Sequence, residues 1–477
     1  MAVIAVSQLL IVLDATIVNI ALPTAQADLN ISDANRQWMV TAYTLAFGGL
    51  LLLGGRIADF TGRKRAFIIG LLGFAAASAL GGLATNAETL FAARALQGAF
   101  GALMAPAALS LLTVTFTEAR ERARAFGVYG AIAGGGGAVG LLLGGVLTEY
   151  ASWRWTLLVS APIAIVAAVA AVRFVGESRA EGNTRYDLPG AFTSTVGLVA
   201  LVYGFTKASE DGWSSPVTIA WLVAAVLLLV SFVVIELRSS HPLLPMRVLL
   251  DRNRGGAFLA SLLIGSGLFG MFLFLTFYMQ LTLGYSALMS GVAFLPFTFG
   301  IIAGAGVAAQ IQTRFGPRIL MTGGLLLATI GMVMLTRIGV DTSFWTHVLP
   351  AEIVLSLGMG ITFGPMSSTA LFGVADHDAG VASALINTTQ QIGGSLGTAL
   401  LNTIFTSAVA AYITDHRSQI TNPDQLPALQ GVATVHGYTV AFWVSAALIG
   451  LSAVLAFVLI RAKREEVAAA PGVPVGV

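Results

Sequence analysis

The first long apolar run of the chain contains the stretch LDATIVNIALP, residues 13 to 23, in which a carboxylate, Asp14, and an amide, Asn19, lie among apolar side chains. An acid at the centre of a membrane span costs about 2.5–3.5 kcal/mol on insertion scales and usually faces a protein-lined or wet interior. The run offers Asp14 no positive charge. It therefore predicts a spanning helix whose acid is functional or, alternatively, is neutralised by burial and tied into helix packing.

The composition places the whole chain in the membrane class. Of its 477 residues, 56% are hydrophobic and only 10% are charged, whereas soluble domains carry about 25% charged residues. The 54 glycines suit closely packed membrane helices. A net charge of +2 gives no indication of nucleic-acid binding, and the lack of cysteine excludes disulfides and thiol chemistry. The first run lacks the basic segment and cleavage site of a signal peptide, so we expect it to be retained.

Fourteen apolar runs approach the roughly 20 residues that a helix needs to cross the hydrocarbon core. They cover residues 3–23, 37–58, 65–84, 89–112, 124–147, 155–175, 188–206, 216–237, 256–280, 287–311, 317–336, 346–371, 379–410 and 437–461. Nineteen Lys and Arg residues fall on one side of these spans and five on the other. The side richer in Lys and Arg is normally cytoplasmic, which predicts that both termini lie in the cytoplasm.

A weak internal repeat suggests two halves. Spans 2 and 10 lead into similar segments, residues 57–65 and 311–318, in which a glycine and a basic residue precede the next span. We therefore predict a six-helix bundle at 1–180, two inserted helices within 181–240, a cytoplasmic connector at 241–254, a second six-helix bundle at 255–464 and a tail at 465–477. Repeated halves around a midplane site are typical of transporters.

The segment between spans 2 and 3 reads GRIADFTGRKR, residues 55–65. Asp59 lies near the C-terminal end of a helix, where the helix dipole disfavours a negative charge, so we expect a cation beside it. Ordinary anchoring by cytoplasmic Lys and Arg explains the cations but not the acid or the glycine spacing. The residues that we assign to a cytoplasmic gate are Gly55, Asp59, Gly62, Arg63 and Arg65.

These residues resemble the signature of the major facilitator superfamily, with Ile57 in place of leucine and Phe60 in place of arginine. The segment RALQGAFG at 94–101 resembles a second motif of that family. LDATIVNIALP, SWRW at 152–155 and QQIGGSLG at 390–397 resemble its fourteen-span drug:proton antiporter subgroup. The resemblance extends from about residue 8 to residue 460.

The resemblance implies an all-α membrane protein, with two six-helix bundles and two inserted helices, that exports multiple drugs or other amphipathic molecules by alternating access. It implies a proton gradient as the energy source, no cofactor and no enzymatic activity. The implied partners are a lipophilic or cationic small molecule, protons and the lipid bilayer, without nucleic acid, for a monomer in the bacterial inner membrane. One alternative is export of a lipid or an endogenous secondary metabolite, as in antibiotic self-resistance. A channel or membrane enzyme is a further alternative, but the sequence shows neither polar rings nor a clustered catalytic set.

One motif departs from the family. The exporter motif of span 5 has the form G-P-x-x-G-G, and the matching residues here are Gly140, Leu141, Gly144 and Gly145. Leucine stands where proline is expected. We therefore expect a helix face of small residues without the usual kink.

Three charged residues inside spans are candidates for proton coupling. At 1.5 Å per residue, Arg94 lies roughly 9 Å and Asp14 roughly 13 Å below the outer surface, so an arginine side chain can bridge them if spans 1 and 4 are adjacent. The alternative for Arg94 is a structural cation whose head reaches toward the surface. Glu352 follows Pro350 in span 12 and is either a second proton site or an interfacial residue.

Drug-like cargo requires aromatic walls with a few polar groups. The candidate substrate-binding residues are Asn19, Trp38, Tyr43, Gln97, Phe272, Tyr278, Asn387 and Gln391. Any single one of them is more often a core or lipid-facing residue. The five histidines form no pair or cluster with metal-ligand spacing, so no metal site is expected.

Overall fold

The structure is a computed structural model that describes residues 1–116, 118–179, 187–239, 242–244, 246–312, 314–374, 379–419 and 425–462. The predicted tail at 465–477 lies outside the described residues, as do residues 180–186, between predicted spans 6 and 7, and residues 375–378, between predicted spans 12 and 13. Within the described ranges the chain forms helices and short connections, and no strand.

Fourteen long helices lie within the described residues, and they coincide with the fourteen predicted spans. They are α1 (Ala2–Asp28), α2 (Trp38–Thr61), α3 (Arg63–Gly82), α4 (Ala87–Thr115), α5 (Ala119–Tyr150), α6 (Trp155–Phe174), α7 (Leu188–Asp211), α8 (Pro216–Arg238), α9 (Arg252–Thr282), α10 (Ala287–Ile311), α11 (Pro317–Leu335), α12 (Phe344–Leu371), α13 (Ala379–His416) and α14 (Leu426–Leu459).

Thirteen helices of the described chain are long and apolar enough to cross a membrane. The remaining one, α5, covers the fifth predicted span. The predicted fold class, an all-helical membrane protein with many spans, is therefore confirmed. The largest boundary difference is at α14, which begins at Leu426 rather than near residue 437. Polar residues such as Gln430 and His436 interrupt the apolar pattern there, although the backbone is already helical and Pro427 occupies its first turn.

The helix contacts repeat with an offset of eight helices. In the first half α4 packs against α2 and α3, α1 against α5, and α3 against α6. In the second half α12 packs against α10 and α11, α9 against α13, and α11 against α14. This pattern places α1 and α9, and likewise α4 and α12, in equivalent positions. The residue boundaries of the two bundles stay predictions.

The halves meet along two pairs of helices, α2 with α13 and α5 with α10. Helix α7 lies beside both α2 and α13, and α8 packs against α7. Only 11% of the apolar window of α8 is buried inside the protein, as expected for a helix that faces lipid. The two helices between the halves therefore lie at the periphery of this interface rather than between its central surfaces.

We call the end at which α1 finishes the outer end, because the Lys and Arg distribution predicts that it faces away from the cytoplasm. Among the hydrogen bonds that join the halves there, two involve α9 and α10. The Gln280 side chain donates to the carbonyl of Ile20 over 2.9 Å, and the amide of Leu288 donates to the Glu149 carboxylate over 2.9 Å. A Cβ on Gly145 in α5 would lie only 2.6 Å from Cα of Leu288 in α10. The structure is therefore closed at its outer end.

Helices α2 and α4 approach each other through glycines. A Cβ on Gly98 would overlap the carbonyl oxygen of Tyr43, and one on Gly54 would overlap the backbone of Ala102. By contrast, a Cβ on Gly323 in α11 would meet no atom within 4 Å. Close backbone approach through small residues is a common basis of helix association in membranes.

We expect Gly98→Ala to destabilise the protein and Gly323→Ala to leave it unchanged. Overpacking a tight contact costs about 1–3 kcal/mol, and at Gly98 the overlapping atom belongs to the backbone and cannot rotate away. Thermal unfolding of the purified variants in detergent measures the difference. Equal unfolding temperatures of the two variants would show that α2 and α4 can move apart at Gly98 without a loss of stability.

Candidate functional site

Asp14 and Arg94 form a buried ion pair in the first half. Nη1 of Arg94 lies 2.7 Å from Oδ2 of Asp14, and the exposed fractions of the two residues are 1% and 0%. Asp14 lies on α1 and Arg94 on the second turn of α4, whose N-terminus is capped by the Asn86 side chain. The adjacency of spans 1 and 4 that the sequence left open is therefore present.

Gln97, one turn after Arg94, completes the surroundings of the acid. Its Nε2 donates to Oδ1 of Asp14 over 3.1 Å and to the Ser78 hydroxyl over 2.7 Å, and its Oε1 accepts from Arg94 over 2.9 Å. Both carboxylate oxygens of Asp14 thus receive a hydrogen bond. Hydrogen bonds to a carboxylate favour its ionised form, so the geometry suits an ionised Asp14 next to a charged Arg94.

The guanidinium of Arg94 also contacts α2. Its Nε donates to the carbonyl of Met39 over 3.0 Å, and its carbon lies 4.6 Å from the centre of the Tyr43 ring. The Tyr43 side chain is fully buried, and its hydroxyl has no partner in the described chain. Arg94 therefore links α1, α2 and α4, and its contact with α1 is the ion pair with Asp14.

Glu352 lies in the second half, away from this network. It is fully buried on α12, and neither of its carboxyl oxygens has a hydrogen-bond partner in the described part of the chain. The structure therefore brings together two of the three candidate proton-coupling residues. The alternative of an interfacial position does not agree with the complete burial of Glu352.

Four of the candidate substrate-binding residues occupy packed positions. Asn19 bonds to the carbonyl of Ala15 in its own helix, and the Trp38 indole donates to Thr206 of α7 over 3.1 Å. The hydroxyls of Tyr278 and Thr342 lie 2.7 Å apart near the outer end and form a hydrogen bond. The Phe272 ring packs against Phe294 and Phe297 of α10. Their roles in substrate binding stay predictions that this packing does not favour.

The remaining polar candidates lie near the interface of the halves. Asn387 on α13 is exposed. A Cβ on Gly48 of α2 would lie 3.0 Å from Cβ of Gln391, and Oε1 of Gln391 has no partner in the described chain. Near the middle of the same interface, the hydroxyls of Thr44 and Ser395 are 2.7 Å apart. Gln391 is thus the candidate whose position best suits contact with a molecule between the halves.

The segment between α2 and α3 contains the expected acid–cation contact. Nε of Arg63 lies 2.8 Å from Oδ1 of Asp59. Gly62 has a φ of 117°, a conformation that glycine adopts readily and other residues rarely do. The Glu177 carboxylate, beyond α6, accepts from the amide of Lys64 over 3.1 Å and lies 3.8 Å from Arg65. All of these contacts lie within the first half.

Gly55, the first residue of this motif, faces α4. A Cβ there would lie 3.3 Å from the ring of Pro106. The glycine thus contributes to the close packing of α2 on α4, and the assignment of the whole motif to a cytoplasmic gate stays a prediction.

The exporter motif forms the contact between α5 and α1. A Cβ on Gly140 would overlap the Thr16 hydroxyl, and one on Gly144 would lie 2.6 Å from the carbonyl oxygen of Ile17. Gly145 faces α10 instead. The helix continues through Leu141, which is buried against the core. The expected face of small residues is present, and it packs against Thr16 and Ile17, in the turn of α1 that follows Asp14.

The residues after α5 hold the outer end of α1. Asp28 accepts from the Trp153 indole over 3.0 Å and pairs with Arg154 at 2.9 Å. Arg154 also donates to the carbonyl of Ala84, beyond α3, over 2.7 Å. An acid at the end of a helix is disfavoured by the helix dipole, and these two donors compensate for that. The SWRW motif therefore anchors α1 to the connection between α5 and α6.

A buried cation that the sequence did not reveal lies between the halves. Arg36, in the connection between α1 and α2, is only 2% exposed. Its Nε donates to Oδ1 of Asn402 on α13 over 3.1 Å, and its guanidinium carbon lies 4.4 Å from the ring centre of Phe277 and 4.5 Å from that of Phe405. Nδ2 of Asn402 in turn donates to the carbonyl of Asp33 over 2.7 Å. The signal available in the sequence was the polar Asn402 in the outer part of an apolar span.

Comparison with known proteins agrees with this architecture. The family model described as Major Facilitator Superfamily matches residues 4–398. The chain is 52% identical, over 98% of its length and 92% of the relative, to the puromycin resistance protein pur8 of Streptomyces alboniger. It is 40% identical to the cephamycin export protein CmcT of Amycolatopsis lactamdurans, over 83% of this chain and 82% of that protein.

A solved structure has the same fold. It is the bacterial homologue of the human lysosomal transporter Spinster, which matches with a TM-score of 0.67 at 16% identity over 96% of both chains. The matched family model, the two relatives and the repeated helix packing agree with one another. This multi-span membrane protein therefore belongs to the Major Facilitator Superfamily.

Proposed function

We propose that the protein is a proton-coupled exporter of amphipathic small molecules that works by alternating access in the bacterial cell membrane, with both termini in the cytoplasm. The observation that supports this proposal is the buried Asp14–Arg94 pair, because it places a protonatable acid against a cation that contacts three helices. The export direction and the class of substrate come from the names of the relatives.

The proton acts by neutralising Asp14. A protonated carboxyl no longer compensates the charge of Arg94, and a buried cation without a partner is strongly destabilising. Arg94 then has to rearrange or become hydrated, which alters its contacts with Met39 and Tyr43 on α2. In the proposed cycle Asp14 takes up a proton from the outside and releases it inside, and substrate binding competes with protonation.

The gate assignment is part of this proposal. The cytoplasmic segment with Asp59 and Arg63–Arg65 would contact the second half in the outward-facing state, after the halves rock about the central site. In the outer-closed arrangement described above, Asp59 pairs with Arg63. If Asp59 exchanged Arg63, its partner in its own half, for a cation of the second half, the new contact would favour closure on the cytoplasmic side.

Puromycin is the first substrate to test, given the 52% identical relative. We expect that puromycin added to proteoliposomes with an imposed pH gradient and a trapped pH-sensitive dye collapses the gradient faster than it does in protein-free liposomes. Ethidium serves as a second, structurally unrelated cation. If neither compound changes the rate at which the gradient decays, the antiporter proposal is wrong.

Export of a self-made antibiotic by the same mechanism is the second candidate function. The names of the two relatives, a puromycin resistance protein and a cephamycin export protein, favour it. The two functions differ in the range of substrates. Gradient collapse by puromycin but not by ethidium would favour the narrower function, and collapse by both would favour multidrug export.

A further inference from the structure

The strongest feature that the proposed proton site does not use is Glu352. Its side chain is completely buried in the outer part of α12, and both carboxyl oxygens lack a partner in the described chain. One turn later α12 is tightly packed on two sides. A Cβ on Gly331 of α11 would overlap the backbone of Leu355, and one on Gly300 of α10 would overlap the Ser356 hydroxyl. One turn beyond this acid, α12 is therefore closely packed against both α10 and α11.

The repeat gives Glu352 an equivalent in the first half. Helices α4 and α12 have corresponding neighbours in the two halves. Arg94 is the eighth residue of α4 and Glu352 the ninth of α12, each counted from the outer end of its helix. The same level of the bundle thus holds a cation paired with Asp14 in one half and an unpaired acid in the other.

The charged and titratable groups on the helices around Glu352 do not compensate it. Helix α10 has no charged residue, and Arg254 of α9 and Arg318 of α11 lie at the opposite, cytoplasmic end. On α13, the titratable residues Tyr412, Asp415 and His416 lie in the last two turns, at the outer end of the helix. The Tyr278 phenol of α9 bonds to the Gly339 carbonyl over 2.9 Å and to Thr342. On α12 itself, His347 is half-buried, and its Nδ1 lies 2.8 Å from the Thr346 hydroxyl.

An ionised carboxylate in such a site would have neither a hydrogen bond nor a counter-charge, and transfer of an unpaired charge from water to an apolar interior is very costly. We propose that Glu352 is a second proton-binding site, which holds its proton in the outer-closed state in which Asp14 is ionised. This inference rests on the proposed proton coupling. If Glu352 also takes up its proton from the outside and releases it to the cytoplasm after Asp14 does, before the outer end reopens, the cycle moves two protons inward per substrate molecule, and loss of Glu352 leaves one.

Infrared difference spectroscopy tests the protonation state directly and without a substrate. We expect the purified protein at neutral pH to show a carbonyl band from a protonated carboxyl group that disappears in Glu352→Gln and persists in Asp14→Asn. Glu88→Gln, which alters an exposed acid in the first turn of α4, is the matched control and should leave the band unchanged. A band of undiminished intensity in Glu352→Gln would overturn the proposal, as would the absence of the band from the unmodified protein.

The number of protons coupled to each transported molecule is measured in a separate experiment. In proteoliposomes with puromycin as the probe, the pH gradient that balances a given puromycin gradient reports the number of protons per molecule. We expect this number to fall from two to one in Glu352→Gln, with exchange retained, and an unchanged number would refute a role in coupling. If the unmodified protein moves no protons with puromycin, the proposed function fails instead, and the infrared result still decides the protonation of Glu352. Thermal unfolding of Glu352→Gln in detergent shows that the variant is folded.

Discussion

Asp14→Asn is expected to reduce proton-driven transport to the level of protein-free liposomes. The asparagine cannot take up or release a proton, so the rearrangement of Arg94 is uncoupled from the gradient. The variant also leaves a buried cation without its counter-charge, and breaking a buried pair costs about 3–5 kcal/mol. Puromycin-dependent collapse of a pH gradient measures the first effect, and the thermal unfolding temperature measures the second.

Two variants separate loss of coupling from loss of the fold. Asp14→Glu keeps a titratable group and should retain partial transport. The double variant with Asp14→Asn and Arg94→Gln removes both charges and should recover most of the lost stability while remaining unable to couple. Proton-coupled transport by Asp14→Asn at the rate of the unmodified protein would exclude Asp14 as the proton carrier.

Arg36→Gln is expected to shift the protein away from the outer-closed state. A desolvated cation–π contact is worth about 2 kcal/mol, and about 1.4 kcal/mol is a factor of ten in an equilibrium, so loss of the contacts to Phe277 and Phe405 should lower the closed-to-open ratio by at least about tenfold. These contacts join the first half to the second at the outer end, and they cannot persist once that end opens.

Cross-linking measures this shift, because the chain has no native cysteine. Cysteines at Glu149 and Leu288, whose side chain and amide bond across the halves over 2.9 Å, should react with a short bifunctional thiol reagent when the outer end is closed. We expect at least about tenfold slower cross-linking after Arg36→Gln, following the same conversion of energy into population. Arg36→Lys keeps the charge but not the planar stacking and should fall between the two. Equal cross-linking rates with Arg36, Arg36→Gln and Arg36→Lys would show that the Arg36 side chain only fills space and does not stabilise the closed state.

The sequence was sufficient for the fold because membrane helices are marked by long apolar runs and by alternating Lys and Arg between them. It also identified the Asp14–Arg94 pair, since charges inside spans are rare and their depths can be compared. The cation beside Asp59 followed from the helix dipole, and Arg63 of the same segment provides it. These three inferences share a property: each depends on a charge in a place where an unpaired charge is costly.

The faces of the helices were harder to predict. Trp38 and Tyr278 looked like wall residues of a substrate site, yet Trp38 bonds to α7 and Tyr278 to the connection between α11 and α12. In a bundle of this kind most helices are apolar on every side, so periodicity does not separate core, lipid and cavity faces. Arg36 was missed for a related reason. In the sequence, a cation between two spans has the pattern of an exposed residue that anchors the helix at the membrane surface. Only the tertiary structure places Arg36 between aromatic rings.

The attachment of α1 at its outer end has a consequence for how a protonation event moves the protein. Asp28 is fixed by Trp153 and Arg154 independently of the proton site, whereas the middle of the helix is held by an ion pair that a proton can break. Between them, glycines of α5 leave α1 almost no room to translate. Because Asp28 and the glycine-packed turn at Thr16 and Ile17 stay fixed, we expect the segment of α1 before Asp14, at the end opposite the outer end, to be the part that moves when the ion pair breaks.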